Sequence, residues 1–173
     1  MSRIRLVILL AAKSVFSLIA LAIVMTIVHE GVHYATALIL GIPIVSFTWF
    51  DPSYFAPVLI SGSAEHTLGM TIVSYAGGLV TGVLLLAILV LKRGWFKQSL
   101  YYWLLGLYMA MFGAWQLCQG ILEGAFQQRY IADATNILSL SYCVGYASAV
   151  LGMTLYWVFM PELKALIARK KYS

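Results

Sequence analysis

Charge is scarce in this chain. Only 10% of its 173 residues are Asp, Glu, Lys or Arg, against 62% hydrophobic, and the mean hydropathy is +0.92. A water-soluble domain of this length needs more polar surface, so a soluble globular protein is excluded and a lipid-facing one is expected. Acidic residues number six and histidines three, so any carboxylate or imidazole chemistry must come from a few positions that can be named. The only two cysteines, Cys118 and Cys143, fall inside apolar segments, where they read as small packing residues and not as a disulfide framework. Internal repeats and low-complexity linkers are absent. The first apolar segment runs too far for a signal h-region and lacks a small-residue cleavage pattern, so no cleaved leader is expected. The length suits one membrane-embedded domain, residues 1–173.

What positive charge there is lies in clusters, Arg129 alone standing apart. Arg3, Arg5 and Lys13 begin the chain, Lys92, Arg93 and Lys97 share one short connection, and Lys164, Arg169, Lys170 and Lys171 fill the tail. Basic clusters at alternate ends of apolar spans are the mark of cytoplasmic loops, so both termini are expected on the cytoplasmic side. They form no continuous stripe, which excludes a nucleic-acid partner and leaves the lipid bilayer. Apolar runs predict an all-α integral membrane protein of about four spans, near 6–40, 70–91, 100–122 and 137–160. Residues 42–69 differ. Their β-prone stretches flank Asp51-Pro52-Ser53, which predicts a short β-hairpin or re-entrant segment after the first span. Gly41-Ile42-Pro43 stops the helix before it. Tyr101, Tyr102 and Trp103 read as an interfacial aromatic belt, and the glutamines 116, 119, 127 and 128 around the end of span three read either as lining a polar cavity or, the preferred account, as interfacially solvated.

Near the end of the first apolar run stands His29-Glu30-Gly31-Val32-His33. Residues four apart lie one above the other on a helix, so both imidazoles can reach one ion, and Glu30 projects from the adjacent edge. Zinc bound by such ligands brings the pKa of a coordinated water to near ~7, where a carboxylate can take its proton. A chance match on a solvated helix is excluded by the apolar surroundings, because an ionisable group there costs ~2.5 kcal/mol or more. A metal or a wet polar cavity satisfies all three groups.

A catalytic zinc needs a third protein ligand. The candidates are Asp133, then Glu123, then His66 beside Glu65, with Asp51 in a turn where Asp is common for backbone reasons. Glu123 and Asp133 both belong to a polar stretch, 123–136, between spans three and four.

Three stretches of the sequence resemble the site-2 protease class of intramembrane zinc metalloproteases. HEGVHYATALILGIPI is similar to that family's H-E-x-G-H helix, which ends at a glycine before a β-hairpin. Ser74-Tyr75-Ala76-Gly77-Gly78-Leu79-Val80-Thr81-Gly82 resembles its S-x-A-G-P-x-x-N segment. Ala132-Asp133-Ala134-Thr135-Asn136-Ile137 stands where the family carries its zinc-ligating Asp. The resemblance implies a zinc cofactor on His29, His33 and Asp133, Glu30 as general base, Thr81 and Asn136 as substrate-positioning groups, and a membrane-protein substrate. Val32, Gly78, Thr81 and Ala134 stand where the family has Gly, Pro, Asn and Gly. A catalytically silent membrane scaffold or assembly subunit is therefore the alternative. A transporter would show paired broken helices or repeats. Two histidines at i and i+4 cannot occupy opposite faces of one haem.

Overall fold

The computed structural model describes residues 3–51, 56–61, 68–126 and 134–159. The elements in chain order are helix α1 (Arg3–Ile39), strands β1 (Ile44–Asp51) and β2 (Ala56–Ser61), helix α2 (Leu68–Leu91), a single 3-10 turn (Trp95–Lys97), helix α3 (Leu100–Phe126) and helix α4 (Ala134–Phe159). Three of these, α1, α2 and α3, are long and apolar enough to cross a membrane.

The first span is one unbroken helix of 37 residues, roughly 55 Å at 1.5 Å per residue. Its buried positions, Ser14, Met25, His29 and Ala37, are spaced to share one face, and most of its other large side chains are exposed. Gly41 ends it at φ 67°, the left-handed conformation that glycine adopts without Cβ strain. There the Ile42 amide donates to the Ala37 carbonyl at 2.9 Å and the Gly41 amide to Leu38 at 3.1 Å, a Schellman closure. Two residues later β1 begins. It pairs antiparallel with β2, Ile44 opposite Ser61 and Thr48 opposite Val58, with register shifts near both ends. The expected hairpin is therefore present; β2 lies against α1, and Phe47 of β1 meets Tyr34 of α1 at 5.2 Å between ring centroids.

Helices α2 and α3 make the closest contact in the molecule. A Cβ on Gly78 would strike the backbone of Gly120, and one on Gly120 would strike Gly78 and Leu79. With no hydrophobic drive between helices in lipid, small residues that let backbones meet supply the packing. α4 packs against α3, with Tyr156 set over Gly106 and Gly152 against Ala110. Near the 92–97 connection the bundle is filled by Met25, Leu85, Phe96, Trp103, Met109, Ala110 and Tyr156.

Two sequence expectations are corrected here. Trp103 is not part of an interfacial belt: it is 3% exposed, and its carbonyl accepts the Tyr156 hydroxyl at 3.0 Å. Tyr101 does reach the surface, yet its hydroxyl pairs with Ser17 on α1 at 2.7 Å, beside a Ser14–Tyr108 pair at 2.6 Å. The span expected to stop at residue 122 continues to Phe126, so Glu123 lies on helix α3 and not in a connecting loop.

Candidate metal centre

Three side chains from two helices converge at one point. His29 and His33 face inward from α1, with their Nε2 atoms 3.0 Å apart. From α3, Glu123 brings Oε2 to 3.2 Å from the first and 3.4 Å from the second. These three side chains are the group whose ligand atoms could hold one metal ion among the described residues.

Each ligand is oriented through its other polar atom. His29 donates from Nδ1 to Oε1 of Gln116 at 2.5 Å, and His33 donates from Nδ1 to the Val73 carbonyl at 2.6 Å. A carbonyl oxygen can only accept, so the proton of the neutral His33 ring sits on Nδ1 and its Nε2 carries a lone pair. Gln119 donates from Nε2 to Oε1 of Glu123 at 3.0 Å, leaving Oε2 to the histidines. Such partners on the far side of each ligand are what fixes tautomer and ring angle in metal sites.

The result is three acceptors facing one another. Oε2 of Glu123 is buried and has no hydrogen-bond partner among the described residues. A proton on one Nε2 can serve one or two of these contacts, whereas a cation at the centre serves all three. The spacing suits zinc, since tetrahedral ligands at bond lengths near ~2.05 Å stand about 3.3 Å apart. The observed edges of 3.0, 3.2 and 3.4 Å lie close to that value. The donor set of two neutral imidazoles and one carboxylate is also one that zinc accepts with a coordination position left open.

The backbone makes room for it. A Cβ on Gly77 would overlap the imidazole of His33, so the small residue on α2 is what lets this ring reach the centre. Likewise a Cβ on Gly124 would collide with Tyr75 of α2. No family model, curated protein or solved structure matches the chain. The site therefore has to be read from its own geometry.

Measured against expectation, His29 and His33 meet as the H-E-x-x-H spacing required. Glu123, placed second to Asp133 as third ligand, is the carboxylate that meets them. Asp133, Glu65 and His66 lie outside the described residues. Asp51 closes β1 and Asn136 lies in α4, and the side chains of both are likewise outside the described part. Glu30 is half-buried on the edge of α1 next to His29, with which it interacts electrostatically. Thr81 is 1% exposed, and its Oγ1 has no hydrogen-bond partner among the described residues. It is buried within the bundle, not set at an open surface.

Of the two readings of Gln116 and Gln119, the less favoured one holds: they line the site, bonded to His29 and Glu123, and not a solvated interface. A signal for them existed. Gln116, Gln119 and Glu123 follow i, i+3, i+7 spacing, one face of a helix. Ending the span at the charged residue hid that continuity.

Proposed function

We propose that this protein is an intramembrane zinc metalloprotease whose zinc is held by His29, His33 and Glu123, with Glu30 as general base. The observation that carries the proposal is the convergence of three oriented acceptor atoms on one point between apolar helices. A zinc ion bound there would polarise a peptide carbonyl and acidify a coordinated water.

The chain's own groups do the rest. Gln116, the Val73 carbonyl and Gln119 hold the three ligand side chains at their angles. Glu30 takes a proton from the attacking water as its oxygen bonds to the scissile carbon. It returns that proton to the amide nitrogen as the C–N bond breaks. The glycine contact between α2 and α3 keeps Glu123 aligned with Gly77, and therefore with His33.

We further propose four spans, α4 being the fourth, with both termini and the 92–97 connection cytoplasmic. The basic clusters support this arrangement. So does the direction of the helices. Residues 17 and 29 of α1 contact 101 and 116 of α3, so the two run parallel, while 145, 152 and 156 of α4 meet 115, 110 and 103 in antiparallel order.

The test has two parts. Metal content of the purified protein is expected to be one zinc per chain, lost in His33→Ala and Glu123→Ala. Glu30→Gln is expected to keep the zinc and to lose cleavage of a membrane-protein substrate. Full zinc without turnover on any membrane substrate would instead favour a silent scaffold, and a metal-free chain would overturn the proposal.

A further inference from the structure

The two ends of the bundle are unlike, and the metal centre lies between them. On the side of the 92–97 connection, Met25 and Leu85 fill the layer next to His29, followed by Phe96 at 2% exposed, Trp103 and Tyr156. The Tyr156 hydroxyl is spent on the Trp103 carbonyl, so it offers no polar step toward the centre. Interiors packed in this way exclude water, cations and peptide alike.

On the hairpin side the ligand side chains are less deeply buried. Side-chain exposure rises from 7% at His29 to 12% at His33 and 19% at Glu123, in the order in which they approach that end. Beyond His33, α1 continues for only six residues, and beyond Glu123, α3 continues for three. That leaves about 9 Å and about 5 Å of helix. The outer surface of α1 at this level, Ile27, Tyr34 and Leu38, is exposed.

We propose that the centre is served only from the hairpin end. Its substrate would be a peptide segment reaching it from the membrane face opposite the basic 92–97 connection, with apolar flanks lying along α1. This rests on the protease proposal above and narrows its substrate class to sequences at or just inside the non-cytoplasmic surface. Metal, water and scissile amide are all polar, and it is toward the hairpin end that the ligand side chains themselves become more accessible.

The test uses the full chain in sealed cells, in a Cys118→Ser, Cys143→Ser background. Val45→Cys on β1 and Trp95→Cys in the 3-10 turn, both at exposed positions, report the two faces to a membrane-impermeant maleimide. Val45→Cys is expected to label in intact cells, and Trp95→Cys only after permeabilisation. His33→Cys and Glu123→Cys, which need no bound metal, are then exposed to a charged thiosulfonate, and both are expected to react from the Val45 face. Reaction of either variant from the Trp95 face, reaction of neither from the Val45 face, or labelling of Val45→Cys only after permeabilisation, overturns the inference. Two site variants are used so that misfolding of one leaves the other informative. Zinc content of the unmodified chain is measured separately, so loss of the protease proposal is told apart from loss of this one.

Discussion

Nδ1 of His29 lies 2.5 Å from Oε1 of Gln116, a residue 87 positions further along the chain. The contact ties α1 to α3 at the level of the candidate metal centre and dictates which nitrogen of His29 faces Glu123. Gln116→Leu keeps the volume and removes the acceptor. Zinc affinity is expected to fall about 10- to 100-fold, the usual effect of losing an outer partner of a metal ligand. Gln116→Glu keeps an acceptor and is expected to restore binding. Competition against a chromophoric chelator measures both, and equal affinities for wild type and Gln116→Leu would remove the positioning role.

Gly77 and Gly31 make a matched pair. Gly77→Ala places a methyl where the His33 imidazole lies, so zinc binding is expected to be lost. At Gly31 an added Cβ meets nothing within 4 Å. Gly31→Ala is therefore expected to leave zinc unchanged and to raise helix stability by up to about 1 kcal/mol. Metal content and thermal unfolding in detergent read the contrast.

Glu123 and Asp133 can be separated directly. Glu123→Ala is expected to empty the site because Oε2 is the third acceptor at its centre. Asp133→Ala is expected to retain zinc. The reverse result, measured by metal analysis of both purified variants, would return the ligand role to Asp133.

Thr81 carries a buried hydroxyl with no partner among the described residues. An unsatisfied buried hydroxyl costs about 1–3 kcal/mol. Thr81→Val, nearly the same shape, is expected to stabilise the bundle by roughly 1 kcal/mol in an unfolding titration. If Thr81 positioned substrate, cleavage would drop in this variant while zinc stayed bound; unchanged cleavage would exclude that role.

Tyr156→Phe removes the hydroxyl that the Trp103 carbonyl accepts, in the filled layers near the 92–97 connection. A loss of about 1–2 kcal/mol in stability is expected, with zinc content unchanged. A change in zinc content would mean that this end of the bundle is coupled to the centre.

Much of this was decided locally, and so could be read from the chain alone. Scarcity of charge and long apolar runs specify helices in lipid, because backbone polar groups there must be satisfied within the segment. The pairing of His29 with His33 follows from the period of one helix. The stop at Gly41-Ile42-Pro43 and the hairpin beyond it are likewise properties of short stretches.

The third ligand is different. That Glu123 meets the two histidines depends on how far α3 runs and which of its faces turns toward α1. Two amides that looked solvated, a glycine that makes space for His33, and a tryptophan that looked interfacial acquire their roles only when distant helices meet. Spacing along a helix is set by its own hydrogen bonds, but contact between helices is set by the side chains each lacks or carries at the seam. That part is decided by packing, here by the meeting of Gly78 with Gly120, which brings the α3 acceptors to the α1 histidines.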